Sequence, residues 1–166
     1  MALHSRRSTL CLLGLGPAAL ALAGCGQPGK GTLSAKKKFS GSEPPLYPNE
    51  TPELRALINH YADTYEVPRP LVQRVVIRES THRPHARNGP YYGLMQILPA
   101  TARTMGFSGS ANGLLDAGTN LKYGVKYLRG AYLVADGNQD KAVSWYARGY
   151  YYEAKRKGLL EVTGLV

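Results

Sequence analysis

In the stretch LVQRVVIRES, residues 71–80, a carboxylate keeps company with valines. At about 100° per residue, Val72, Val75, Val76 and Glu79 fall on one stripe of a helix, while Arg74 and Arg78 point to the opposite side. Burying an unpaired carboxylate is costly unless it is protonated or hydrogen-bonded, so the placement works against stability and calls for a chemical reason. Near the C-terminal end of the helix, desolvation and the negative end of the macrodipole both disfavour the charged form, which predicts a raised pKa for Glu79. An acid still protonated near neutral pH can donate to a leaving alcohol oxygen, the step by which a glycosidic bond breaks. Two-carboxylate glycosidases need a partner acid close by. Between Val67 and Ala135 the only other acid is Asp116, placed where a helix N-cap belongs. The residues therefore favour a mechanism with one carboxylate, in which the substrate supplies the nucleophile.

Other chemistries fit less well. Glu79, His82 and His85 are spaced by three, but Pro84 interrupts the helix that would align them, and zinc motifs place two histidines four apart. No metal and no cofactor is expected. The segment RGYYYEAKRKG, residues 148–158, interleaves basic and aromatic residues as nucleic-acid binders do. In an exported chain a polysaccharide cleft or simple packing is the better reading, because tyrosines stack on sugar rings and cations meet acidic peptides or phosphates. No nucleic-acid partner is expected. The formal charge of +10 by itself suits nucleic acid, anionic lipid or an acidic cell-wall polymer, or a solvated basic surface without a specific partner.

The elements that must hold Glu79 read as helices. Thr51 followed by Pro52 is a start signal, and Leu54, Leu57, Ile58, Tyr61 and Tyr65 then form a stripe. The sequence VPRP breaks the chain before the Glu79 helix, which runs to about Ser80. A short helix is predicted over Pro99–Met105, a longer one over Asp116–Val134, and a last one from about Asp140 towards Lys157 after the turn DGNQD. No segment alternates with period two for long enough to make a convincing strand, so the domain is read as all-α. With 166 residues and 43% hydrophobic content, one globular domain is expected.

The N-terminus reads as export machinery rather than fold. After HSRRS comes TLCLLGLGPAALALAGC, an uncharged apolar run too short and too rich in Gly and Pro for a comfortable spanning helix. Residues 1–24 are read as a signal peptide. LAGC resembles the bacterial lipobox, which implies lipidation of Cys25, and SRRSTL is similar to a twin-arginine export signal. Cys11 lies inside the apolar run, so a processed chain keeps only Cys25 and forms no disulfide. Residues 25–50, rich in Gly, Pro, Ser and Lys after the cysteine, describe a flexible linker, which leaves 51–160 as the functional domain. Gly26 after Cys25 lacks the aspartate that marks inner-membrane retention, so the expected location is the periplasmic face of an outer membrane, anchored by lipid at Cys25.

ESTHRPHARNGPYYGLMQILPATA, followed by NLKYGVKYL and AVSWYARGY, resembles the soluble lytic transglycosylase (SLT) domain. Glu79, Ser80, Pro84, Ala86, Gly93, Leu94, Met95, Gln96, Pro99, Thr101 and Ala102 keep the family's order, and Asn120 and Tyr146 fall in the expected helices, over about residues 53–155. The resemblance implies a lysozyme-like fold and non-hydrolytic cleavage of the β-1,4 bond between N-acetylmuramic acid and N-acetylglucosamine in peptidoglycan glycan strands, leaving 1,6-anhydromuramic ends. It implies that Glu79 is the single acid and base, that Ser80 holds the N-acetyl group, that Tyr146 hydrogen-bonds Glu79, and that Gly93, Met95 and Gln96 line the cleft. Asn120 either bonds sugar or braces that loop. The chain departs from the pattern in two places. The segment from Glu79 to Gly93 is one residue short, with Tyr91 and Tyr92 in place of small residues, and YARG (Tyr146 to Gly149) stands where the family has Tyr-Asn-Ala-Gly. Two rival readings remain open: a goose-lysozyme-like hydrolase, which admits water to the same acid, and a non-catalytic peptidoglycan-binding lipoprotein, which needs no acid. Cell-wall or secretion machinery is the further partner class such a location offers.

Overall fold

The computed structural model describes residues 44–166. The signal segment, Cys25 and most of the expected linker lie outside the described residues. Helix α1 (Pro52–Thr64) starts where the sequence predicts: the Thr51 hydroxyl accepts a hydrogen bond from the Leu54 N–H at 3.2 Å, and Pro52 takes the first turn. It buries Leu54, Ile58 and Ala62. Helix α2 (Arg69–Ser80) follows Pro68 and buries Leu71, Val72, Val75 and Val76, each at most 1% exposed, on the face that continues to Glu79. It ends at Thr81 in the left-handed conformation, with φ 51°.

The chain then forms a small hairpin, β1 (Arg87–Asn88) antiparallel to β2 (Tyr91–Tyr92), before α3 (Pro99–Thr104) and a 3-10 turn over Ala111–Leu115. Helix α4 (Ala117–Val134) is capped by Asp116, whose carboxylate accepts from the Thr119 N–H at 2.7 Å. That makes Asp116 a cap, as its position predicts. Helix α4 is the central post, packed against α1, α3, α5 (Gln139–Arg148) and α7 (Leu160–Thr163). Its glycines matter here: a Cβ on Gly124 would come within 2.6 Å of the Met95 sulfur, and one on Gly130 within 2.2 Å of the Tyr150 hydroxyl. The fold is mainly α, with the two-strand hairpin as the only sheet among the described residues.

The last helix is shorter than expected. The predicted run towards Lys157 stops at Arg148, because Gly149 adopts φ 83°, and α6 (Tyr151–Arg156) starts on a new axis. The break lets Tyr150 bury its ring over Gly130, with its hydroxyl donating to the Tyr127 carbonyl at 2.9 Å.

The end of the expected linker is tied to the domain. Residues 44–50 form a strap: the Arg55 guanidinium donates to the carbonyls of Pro44 and Pro45 at 3.0 and 3.1 Å and grips the Glu50 carboxylate, with Nε 2.6 Å from Oε1. Gln73 on α2 donates to Glu50 at 2.8 Å and accepts from His82 Nε2 at 2.8 Å, while the Tyr47 ring stacks on His82 at 5.5 Å and 8°. His82 is 1% exposed, and the proton it gives to the Gln73 Oε1 sits on Nε2. Desolvation alone would raise the Glu50 pKa, but the bonds from Arg55, the Tyr47 N–H and Gln73 overcome it and hold the carboxyl at about 2. For His82, desolvation and Arg55 lower the pKa, against Glu50 and the Pro48 carbonyl.

Acid should therefore loosen the strap. The Glu50 contribution is present above its unfolded pKa near 4.5 and is lost as pH falls towards 2. His82 adds to the loss below 6.5, because the unfolded chain takes its proton first. Thermal midpoints measured against pH should fall across this window. Glu50→Gln should flatten the part of the fall between pH 4.5 and 2, after an initial loss on the order of 3 kcal/mol at neutral pH.

Candidate active site

Glu79 lies in the last turn of α2, its side chain 22% exposed: open to a ligand, yet mostly withdrawn from water. Desolvation raises its pKa, and Arg78 opposes the shift, its Nε 3.7 Å from Glu79 Oε1. Arg78, on the opposite stripe by helical projection, is long enough to reach round to the acid. Among the described residues no second carboxylate shifts Glu79. A lone carboxyl in this setting keeps its proton to higher pH than an exposed one and can act first as an acid, then as a base.

Tyr146 on α5 is buried close enough to feel this acid. Its hydroxyl pKa is pushed well up by desolvation, then by the Glu79 charge and by Tyr127 and Tyr150. Its one proton goes elsewhere than the resemblance implies: the hydroxyl donates to the Met95 carbonyl at 2.7 Å. Tyr146 thus ties α5 to the loop over the site, and Glu79 can use only its lone pairs.

That loop, Tyr92–Ile97, hangs on Asn120. The Asn120 Oδ1 accepts from the Met95 N–H at 2.8 Å, and its two amide hydrogens go to the carbonyls of Tyr92 and Leu114, each at 2.8 Å. Asn120 is fully buried with its side-chain nitrogen and oxygen both engaged, which makes it the brace of the loop. Gly93 turns the loop at φ 72°, and a Cβ there would lie 2.3 Å from the Asn120 amide nitrogen and 2.4 Å from the Leu114 carbonyl. Met95 packs its side chain into the core against Gly124. Gln96, at φ 45°, donates its side-chain amide to the carbonyls of Ala86 and Gly93 at 3.1 and 2.9 Å, clipping the loop from below. Ser80 is 2% exposed and its hydroxyl donates to the Val76 carbonyl at 3.2 Å. Of the residues singled out in the sequence, Tyr146 stands by Glu79. Gly93, Met95, Gln96 and Asn120 build one loop, and Ser80 faces its own helix.

His82 and His85 do not converge on Glu79. His82 is locked in the strap network and His85 is exposed. The strap itself escaped sequence reasoning because Glu50 lies in a Pro-rich stretch without periodicity; the unusual acid directly before the Thr51 cap is the one local signal.

Together, a mainly-α fold and a desolvated acid close to Tyr146, which is tied to a braced loop, describe a domain suited to glycosidic-bond chemistry. The Transglycosylase SLT domain family matches residues 56–158, and the chain belongs to that family. No solved structure matches the chain. Membership gives a lytic transglycosylase-type domain that acts on peptidoglycan.

Proposed function

We propose that the protein cleaves the β-1,4 bond between N-acetylmuramic acid and N-acetylglucosamine and closes a 1,6-anhydro ring on the muramic residue, with Glu79 as the single acid and base. The observation that carries this reading is the half-buried Glu79, its pKa raised by desolvation, with no second carboxylate acting on it among the described residues. Protonated Glu79 gives its proton to the glycosidic oxygen as the C1–O bond breaks. The resulting carboxylate takes the proton of the C6 hydroxyl as O6 bonds to C1, which returns the acid and consumes no water. Intramolecular attack gains effective molarity over water, which removes the need for a second carboxylate.

Gly93, Met95 and Gln96 shape the cleft wall, Asn120 braces it, and Tyr146, close to the acid, holds the Met95 carbonyl. A contact from Ser80 to the N-acetyl group requires its hydroxyl to leave the Val76 carbonyl. Mass spectrometry of the muropeptides released from purified sacculi tests the reading: anhydro ends, lighter by one water than hydrolytic products, are expected, and reducing ends alone would overturn it.

The same reading places the domain on the periplasmic face of an outer membrane, held by lipid on Cys25 after removal of residues 1–24. It is supported by LAGC directly after the apolar run. Cys25→Ala should abolish acyl labelling and move the protein from the membrane to the soluble fraction. Unchanged sedimentation with membranes would reject the anchor.

A further inference from the structure

Where α5 ends, Trp145, Arg148, Tyr151, Tyr152, Glu153 and Arg156 line an open groove of about 410 Å³. Neither Glu79 nor Tyr146 is among its walls. Tyr152 is 85% exposed and Tyr151 46%, an unusual display of aromatic surface for a domain with a well-filled core. The charges in the groove are not equivalent. Arg156 is spent on Glu153, its Nε 2.8 Å from Oε2, so this pair is nearly neutral. Arg148 lies with its guanidinium carbon 3.9 Å from the centre of the Trp145 ring, and among the described residues no acid or carbonyl takes its N–H groups. Stacking fixes the plane of a guanidinium and leaves its edge free, the geometry that receives a carboxylate with two parallel bonds. Arg148 is also where the chain departs from the family pattern: in YARG an arginine stands where Tyr-Asn-Ala-Gly has alanine.

We infer that this groove is a binding site for the acidic stem peptides of peptidoglycan, with Arg148 receiving a peptide carboxylate while Tyr151 and Tyr152 cover the apolar part of the peptide. The inference rests on the proposed substrate but not on the cleavage chemistry. The peptides carry carboxylates together with aliphatic side chains, whereas an amidase-stripped strand keeps only the lactyl carboxylate of each muramic residue with no apolar chain beside it, so a preorganised cation flanked by aromatic rings discriminates for peptide-bearing strands. Helix α5 carries Tyr146, next to Glu79, on its buried face and Arg148 at its exposed C-terminal end, so a peptide held at Arg148 is anchored to the helix that flanks the acid.

The test is binding of the full chain to intact sacculi and to glycan strands stripped of peptides by an amidase, measured in the Glu79→Gln background so that strands are not consumed, with thermal midpoints as the check on folding. About tenfold tighter binding to peptide-bearing strands is expected. Arg148→Ala should bring the ratio close to one, and Arg148→Glu below it, with the midpoint unchanged. A ratio that survives either substitution overturns the inference, as does a parent ratio of one or an equal loss on both strands. If wild-type protein releases no anhydro-ended muropeptides while the ratio holds, the cleavage reading fails and the peptide site stands.

Discussion

Glu79→Gln is expected to yield a folded protein that releases no muropeptides from sacculi. The amide keeps the shape and the hydrogen-bonding reach of the acid but has no proton to give and no charge with which to take one. General acid catalysis alone contributes about 10²–10⁴-fold, and a residue that serves as acid and then as base should cost at least that. Stability should hold or rise, since the substitution replaces a desolvated ionisable group by a neutral one, and circular dichroism and the thermal midpoint check this. The wild-type rate should fall as pH rises through the raised Glu79 pKa, because the proton needed for the first step is then absent; Arg78 works against this shift. Arg78→Gln should accordingly move the alkaline limb of the profile upwards. Retained turnover in Glu79→Gln would remove the acid from the mechanism altogether.

Asn120→Ala is expected to damage the fold rather than one contact with substrate. It strands the Met95 N–H and the Leu114 carbonyl in the interior, while the Tyr92 carbonyl keeps the Ile97 N–H, and a buried polar group left without its partner costs about 1–3 kcal/mol. The loss should reach about 3–5 kcal/mol after partial relaxation, a large part of a small domain's stability. Chemical denaturation measures it. Gly93→Ala should act on the same joint, since its Cβ would overlap the Asn120 amide while the backbone sits at φ 72°. Because both act on one brace, the double variant should lose less than the two single losses combined. Near-native stability in Asn120→Ala would show that the loop has another support and would return Asn120 to the substrate-contact role implied by the resemblance.

What the sequence determined by itself was local. The Thr51 and Asp116 caps, the proline starts at Pro52 and Pro99, and the valine stripe that ends at Glu79 are patterns written within one or two helical turns, and each appears where the spacing puts it. The raised pKa of Glu79 was legible too, because the stripe already says which way the side chain faces. The tertiary structure decided the partners. Tyr146 gives its proton to a carbonyl 51 residues away, and Asn120 receives the Met95 N–H across 25. The strap joins Glu50 to Gln73 across 23, in a stretch whose composition describes a linker. A hydrogen bond between distant segments leaves no periodicity behind. Which acceptor takes a single hydroxyl proton depends on ångström-scale placement that only the packing of α2, α4 and α5 around the loop supplies.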